Sequence, residues 1–272
     1  LASGILRLIH LHGVRPGERA IVVTDDDHGW RQAAELIAAG IEVAAIVDTR
    51  SVVPEIAEAA TVRAAGAEAL PGATVLAAQG RSRVTGLRIR GGDGVERVIA
   101  ADLVAMATRP EPVVTLAAQA GLSLAFEERL AEWIPVAGSA DVVVTGHMTG
   151  LTDDELIAAG AVLAGRLAAG RDGAGGGGAA GRDEAGAAHA HHAEQVAAAF
   201  AALPNPAPTV LPVGRKPFVC LCEDVTTKEL VQGVAEGFDS LETLKRYSTV
   251  TMGPCQGKQC HGNAARVTAA IR

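Results

Sequence analysis

The sequence has few aromatic residues, and it has no cysteine before position 220. Aromatic residues make up 3% of its 272 residues, whereas hydrophobic residues of all kinds make up 49%. Alanine and glycine dominate the sequence as a whole. A core without large rings is built from small aliphatic side chains. This composition favours an α/β sheet with closely packed helices.

An excess of basic charge and a long apolar run are also lacking. The net charge of −7 argues against nucleic acid or an anionic membrane as the main partner. The most apolar long stretch, residues 156–170, is short and contains Arg166, which makes it a poor membrane span. Residues 1–11 lack the basic region and cleavage site of a secretory signal. We therefore expect a cytoplasmic protein, and the start without Met in mid-pattern suggests a fragment of a longer chain.

The first fifty residues predict a dinucleotide-binding βαβ unit. Residues 20–24 form an apolar run typical of a buried parallel strand, residues 31–40 form an amphipathic helix, and residues 41–47 form a second buried strand. Asp48 follows that strand, where an acidic residue commonly holds a ribose hydroxyl, and Thr24 opens the turn at which phosphate commonly binds. Thr24 and Asp48 are therefore candidate NAD contacts.

The turn itself departs from the glycine-rich pattern of such sites. It reads T-D-D-D-H-G-W over residues 24–30, with one glycine and three carboxylates. Carboxylates repel a pyrophosphate, so a lobe that has only a structural role is an equally open interpretation.

The middle of the chain predicts further strands and then a linker. The pattern of the next segments resembles the nucleotide domain of two-dinucleotide-binding flavoproteins. It consists of residues 67–70 and 74–79, a hairpin of 83–90 with 95–100 around G-G-D-G, and a return strand at 102–110. Residues 140–145 predict a strand that leads through Gly146 to a helix that starts near Thr152, where Glu155 completes a capping box. The composition of residues 170–186 predicts a flexible linker, and a histidine cluster and an alanine-rich helix at 193–203 follow it. We interpret the histidines as surface residues.

All four cysteines lie in the last fifth of the chain, in two tight pairs. Cys220 and Cys222 are separated by one residue, and Cys255 and Cys260 follow after 32 intervening residues. Four thiolates suit a [2Fe–2S] cluster, with a four-cysteine zinc site and disulfides as alternatives. In such a cluster, two ligands separated by one residue on an extended segment can reach the same iron, and the wider pair can hold the other. Helices are predicted at 227–236, 240–247 and 264–271, with capping boxes Thr226/Glu229 and Asp239/Glu242. The second pair is thus expected near a helix N-terminus, where free amides favour thiolates.

Three segments of this region carry a resemblance to a known family. They are F-V-C-L-C-E-D-V-T at 218–226, G-F-D-S-L-E-T-L-K-R-Y at 237–247 and T-M-G-P-C-Q-G-K-Q-C at 251–260. Together they resemble the bacterioferritin-associated-ferredoxin-like [2Fe–2S] domain in the α-subunit family of heterotetrameric sarcosine oxidase. Residues 13–24 resemble the same subunits. In sarcosine oxidase itself the cysteines are typically replaced. Their retention here favours the electron-transferring dehydrogenases of the family, which act on proline, opines and related amines.

The resemblance implies an α/β fold in which a Rossmann-like FAD/NAD(P)-binding lobe, incomplete in this chain, is joined to a small all-helical [2Fe–2S] domain. The expected segments are a nucleotide lobe at 1–110, a returning part of the FAD domain at 111–170, a linker at 171–214 and the cluster domain at 215–272. Cys220, Cys222, Cys255 and Cys260 would be the ligands. Glu223, Lys258 and the amides around Gly257 would tune the reduction potential.

The function implied is that of an electron-transferring subunit in an FAD-dependent oxidoreductase. Such an enzyme oxidises the C–N bond of a secondary amine or amino acid of the sarcosine, proline, glycine or opine class. The oxidation would occur at a flavin in a partner β subunit, with smaller subunits as further partners, and no catalytic side chain is expected in this chain. Gly146 would contact an FAD that is shared with an N-terminal region preceding these residues, and weak NAD binding stays open. The alternative is a non-catalytic iron–sulfur or zinc docking module on a degenerate flavoprotein scaffold.

Overall fold

The computed structural model describes residues 1–109, 111–130, 132–137, 142–171, 179–202 and 216–272. The chain divides into two compact units, Leu1–Arg109 with Ala207–Arg272, and Pro110–Pro206. The mixed α/β fold class predicted from the sequence is confirmed, since a parallel sheet lies at the centre of the first lobe.

The N-terminal lobe is built on a four-stranded parallel sheet in the order β3-β2-β1-β7. Its elements are α1 (Ala2–His12), β1 (Arg19–Thr24), α2 (Asp27–Ala38), β2 (Glu42–Asp48), α3 (Ala57–Ala64), β3 (Glu68–Pro71), β4 (Thr74–Gly80), β5 (Val84–Arg90), β6 (Glu96–Ala100) and β7 (Leu103–Met106). The predicted strands, the hairpin and the return strand are all present, with helix α2 beginning four residues earlier than expected.

The sheet is buried on both faces, which explains the continuous apolar run of β1. Val22 packs with Trp30 and Leu36 among the helices of one face, whereas Ile21 and Val23 pack against the other face, which the antiparallel strands β4-β5-β6 cover. Because successive side chains in a strand point to opposite faces, only a strand covered on both sides reads as uniformly apolar.

The second unit contains α4 (Thr115–Gln119), an antiparallel hairpin of β8 (Ser123–Glu127) with β9 (Glu132–Ala137), a 3₁₀ turn (Gly146–Thr149), α5 (Asp154–Arg171) and α6 (Ala179–Ala202). The strand predicted at 140–145 is not observed, since residues 142–145 are irregular and the other two lie outside the described residues. Helix α6 begins at Ala179, within the predicted linker, because its alanine-rich sequence has high helix propensity. The Thr152/Glu155 capping box expected for α5 is also replaced, because Asp153 accepts the backbone N–H of Leu156 at 2.9 Å.

The C-terminal domain contains a hairpin of β10 (Phe218–Cys220) with β11 (Val225–Thr226), followed by α7 (Thr227–Ala235), α8 (Leu241–Ser248) and α9 (His261–Ile271). It is therefore not all-helical, and the two short strands had no readable pattern. The Thr226/Glu229 capping box is confirmed. The second box was predicted at the wrong residues, because Ser240 caps α8 through Thr243.

Hydropathy gives one further result for the part of the chain that the structure describes. None of its helices combines enough length with enough apolar character to cross a lipid bilayer.

Candidate metal centre

The short hairpin β10-β11 positions the first two cysteines. Cys220 ends β10 and is 1% exposed, whereas Cys222 lies in the turn and is exposed. Cys220 lies in the domain core with Val219, Val225 and Leu244 nearby, whereas the chain turns directly after it, which leaves Cys222 at the surface.

The loop between α8 and α9 positions the other two. Cys255 is partly exposed, and Cys260 is 2% exposed and is the N-cap residue of α9. This confirms the expectation that the second pair lies near a helix N-terminus. Gly253 is buried where the loop meets the hairpin. A glycine is needed there because an added Cβ would lie 2.5 Å from the Cβ of Cys222. Sequence reasoning did not identify Gly253, although a glycine two residues before a ligand was an available signal.

The backbone of this domain is held in unusual conformations around the cysteines. Among the described residues, those with positive φ that are not glycine are Asp224, Thr249, Thr251 and Gln256, each within six residues of a cysteine in sequence. Each such residue costs about 1 kcal/mol. Backbone strain of this kind persists where surrounding structure fixes it, and it clusters at functional sites.

The four thiols converge on one cavity of about 180 Å³. Its lining comprises Phe218, Val219, Cys220, Leu221, Cys222, Cys255, Gln259, Cys260 and Asn263. Within the cavity the thiols are paired by hydrogen bonds, Cys222 with Cys255 and Cys220 with Cys260. Each pair therefore joins one sulfur of the hairpin to one sulfur of the loop, not the sulfurs that are neighbours in sequence. Across the described ranges, no three Cys, His, Asp or Glu side chains are grouped so as to hold a metal ion together.

The two pairs differ in electrostatic environment. Burial raises the pKa of the Cys260 thiol to about 11, assisted by its hydrogen bond with Cys220. The pKa of Cys255 is lowered, first by a hydrogen bond from the backbone N–H of Gln259 and then by Cys222 and the N–H groups of Gly257 and Lys258. The hydrogen bond with Cys255 raises the pKa of Cys222 in turn. Cys222 with Cys255 is the more exposed, outer pair, and Cys220 with Cys260 is the buried, inner pair. Cys255 is thus the thiol of the outer pair that ionises first.

Thr24 and Asp48 lie at the carboxyl ends of the adjacent strands β1 and β2, as predicted, and are paired in register. The Thr24 hydroxyl donates to the backbone oxygen of Ala107 at 2.8 Å and accepts from the N–H of Asp26 at 3.2 Å. It therefore ties the end of β1 to the start of α2 and to the end of β7. Gly29 is needed at this point because an added Cβ would overlap the Thr24 side chain.

The Asp48 carboxylate is fully buried and is bound by this chain's own groups. Oδ2 accepts from the Trp30 indole at 2.8 Å and from Arg50 Nη2 at 2.8 Å, and Oδ1 accepts from the Arg50 backbone N–H at 3.0 Å and from its Nε at 3.1 Å. These four bonds use the acceptor sites that a ribose would need. Sequence reasoning missed Trp30 and Arg50, although a buried acid followed two residues later by arginine was the available signal.

The three carboxylates of the turn are likewise engaged. Asp25 accepts the backbone N–H of Arg109 at 2.7 Å, Asp26 caps α2, and Asp27 accepts from Arg50 Nη1 at 2.7 Å. Burial, together with the charge of Asp25, raises the pKa of Asp26. Burial alone would lower the pKa of Arg50, but its hydrogen bonds to Asp48 and Asp27 raise it. With acids at the N-terminus of α2 and the ribose position occupied, these residues do not fit a dinucleotide.

We accordingly expect NAD to bind this lobe weakly or not at all. Calorimetric titration of the protein with NAD should release no measurable heat at millimolar ligand. The matched variant is Arg50→Gln, which frees part of the Asp48 carboxylate and is expected to bind more than the wild-type protein does. Micromolar binding by the wild-type protein would contradict the interpretation that this end of the sheet is closed.

Gly146 begins the 3₁₀ turn with a φ of +80°, and its backbone oxygen accepts from the Thr149 hydroxyl at 2.7 Å. Nothing lies within 4 Å of a Cβ added there, so the glycine borders open space. His147 bonds through Nδ1 to the backbone oxygen of Leu151 at 3.0 Å. Of the predicted surface histidines, His191 is exposed, but His192 is half-buried with an unpartnered Nδ1, and the side chain of His189 lies outside the described residues.

A parallel sheet with helices on one face and a β-meander on the other defines a Rossmann-like α/β lobe, to which a small four-cysteine domain is appended. Residues 214–272 match the family model of the sarcosine oxidase A3 domain. The resemblance to the α subunits of sarcosine oxidase is thereby confirmed.

Full-length relatives agree with the domain match. The chain is 28% identical to sarcosine oxidase subunit alpha of Corynebacterium sp. (strain P-1) and 30% identical to that of Rhizobium meliloti (strain 1021), with all of this chain aligned in each case. It spans 28% and 26% of the length of these two subunits.

A solved structure shares the fold. The crystal structure of L-proline dehydrogenase from P. horikoshii superposes with a TM-score of 0.62 and 19% identity, covering 97% of this chain and 47% of that one.

Proposed function

We propose that this chain is the electron-transferring part of a flavin-dependent oxidoreductase that acts on the C–N bond of a secondary amine or amino acid. The relatives carry the names sarcosine oxidase subunit alpha and L-proline dehydrogenase, which supports this class of substrate. A β subunit with the amine-oxidising flavin would be the partner, and Gly146 would contact FAD in this chain.

The observation that carries the proposal is the convergence of Cys220, Cys222, Cys255 and Cys260 on one cavity in two pairs. A [2Fe–2S] cluster needs two thiolates on each of two irons. Sulfurs on one tetrahedral metal with bonds of about 2.3 Å lie about 3.8 Å apart, in the range of thiols in hydrogen-bonding contact. The donor set therefore fits a two-iron cluster, and the pairing suggests that each iron receives one sulfur from the hairpin and one from the loop.

Such a cluster, when bound, accepts electrons one at a time, whereas a reduced flavin holds two. The chain's own residues supply the rest. Cys220 and Cys260 anchor the inner side in the core with Leu230 and Leu244, and they exclude water there. The outer side reaches solvent at Cys222, and backbone amides stabilise the thiolate of Cys255. No proton has to move for this role.

Anaerobic reconstitution with iron and sulfide tests the proposal. We expect brown protein with about two irons and two sulfides per chain, visible absorption, and an EPR signal that appears on reduction. Protein incubated with zinc alone is the control and should remain colourless. A wild-type chain that takes up one zinc but no iron and sulfide would contradict the proposal.

A second candidate function is a docking module on a nucleotide lobe that has lost its ligand. The observation favouring it is the closed network of Asp48, Arg50 and Asp27, which leaves the lobe with a structural role. Amine-dependent reduction of the centre in the assembled enzyme would distinguish the two, because a docking module passes no electrons from substrate.

A further inference from the structure

The two cysteine pairs are not equivalent, and the difference lies in their backbone surroundings. Residues 256 and 257 both have positive φ, with values of 54° and 78°. This turn aims the successive N–H groups of Gly257, Lys258 and Gln259 at the sulfur of Cys255. The N–H of Cys255 in turn bonds to the sulfur of Cys222. Successive amides in a turn of this kind form a concavity that binds anions.

The two cysteine pairs also differ in burial. Cys220 and Cys260 are packed among apolar side chains, including Val225, Leu230 and Leu244. Cys222 is exposed, and Cys255 is partly exposed. Negative charge added beside the inner pair would be far from water, and burying charge without compensation is costly. Negative charge added beside the outer pair is stabilised by solvent and by the backbone N–H groups that point at the sulfur of Cys255.

We propose that the amides of residues 257–259 make the Cys222–Cys255 side the reducible end of the centre. This inference rests on the proposed function, since it requires a two-iron cluster held in the observed pairs. In such a cluster Cys222 and Cys255 would hold the iron that takes one electron from a reduced flavin and goes from ferric to ferrous with no bond broken, and Cys220 and Cys260 would hold the iron that stays ferric. Hydrogen bonds to sulfur and solvent exposure are established determinants of such potentials. Electrons consequently pass through the edge of the domain at which Cys222 reaches solvent.

Gly257 is the residue on which this arrangement depends. Its φ of 78° is disfavoured for residues with a side chain, and an added Cβ would lie 3.2 Å from the Cβ of Thr251 and 3.5 Å from that of His261. Gly257→Ala therefore reorients the amides while leaving all four thiols in place. Lys258→Gln is the matched control, because it removes an exposed charge from the same turn and keeps its amide.

The experiment measures midpoint potentials of the reconstituted full chain by EPR-monitored titration. Gly257→Ala is expected to lower the potential, and Lys258→Gln is expected to lower it less. An unchanged potential in cluster-bearing Gly257→Ala would overturn the inference, as would an equal or larger shift in Lys258→Gln.

Serine substitution provides an independent measurement should Gly257→Ala fail to fold. An alkoxide ligand favours ferric iron, so it lowers the potential most when it binds the iron that is reduced. Cys222→Ser and Cys255→Ser should therefore shift the potential more than Cys220→Ser and Cys260→Ser do, and the reverse order would overturn the inference. Absence of any cluster in the wild-type chain would instead reject the proposed function, so the two failures are distinguishable.

Discussion

Replacing Cys260 by alanine is expected to remove nearly all iron from the reconstituted protein, from about two atoms per chain to near zero. Cys260 is the buried cysteine at the start of α9, and it is one of the two inner ligands of the proposed centre. Its loss leaves three thiols, and water cannot readily replace the fourth in an apolar pocket. Iron and sulfide analysis, together with visible absorption, measures the effect.

The same variant should retain its fold, which separates ligand loss from unfolding. The Cys260 side chain makes no capping hydrogen bond to α9, so alanine removes packing and the hydrogen bond with Cys220, at a cost of about 1–2 kcal/mol. His261→Ala is the matched control, because His261 is the next residue and its side chain is exposed. It should bind iron as the wild-type protein does. Full iron content in Cys260→Ala would show that this cysteine is not a ligand.

Replacing Asp48 by alanine is expected to destabilise the N-terminal lobe by about 3–5 kcal/mol, the usual effect of removing one partner from a buried ion pair. The substitution leaves the Trp30 indole N–H without its acceptor and Arg50 with only Asp27 as an ionic partner. Urea unfolding followed by circular dichroism measures the change in free energy of unfolding.

Glu42→Ala provides the control within the same strand. Glu42 forms an ion pair with Arg19 in which both side chains are about half exposed, so its loss should cost less than about 1 kcal/mol. Equal effects of the two substitutions would contradict the view that the Asp48 network holds the carboxyl ends of the strands together. An unchanged stability in Asp48→Ala would contradict it as well.

The fold of the N-terminal lobe could be predicted because its pattern is local. The run at 20–23 is apolar at every position since both faces of β1 are covered, and the G-G-D-G turn marks the hairpin of β5 and β6. The hairpin β10-β11 escaped prediction because strands of three and two residues carry no period. The cap of α8 was misplaced because Asp239/Glu242 and Ser240/Thr243 fit the same spacing, and only the structure distinguishes them.

The candidate site was predictable in its residues but not in its pairing. Cysteine spacing identified Cys220, Cys222, Cys255 and Cys260 as one set, yet spacing alone suggested that sequence neighbours would share an iron. The structure pairs them across the hairpin and the loop because the chain turns after Cys220, which leaves Cys220 in the core and Cys222 at the surface. The engagement of Asp48 by Trp30 also could not be read from sequence, since it depends on how α2 packs against β2.

The burial of Trp30 has a practical consequence. The chain has two tryptophans, and the other, Trp133, belongs to the second compact unit and is 51% exposed. Iodide in the solvent should therefore quench the fluorescence of Trp133 and leave that of Trp30 unchanged. The residual fluorescence becomes an intrinsic optical probe for melting of the nucleotide-type lobe alone, without any attached dye.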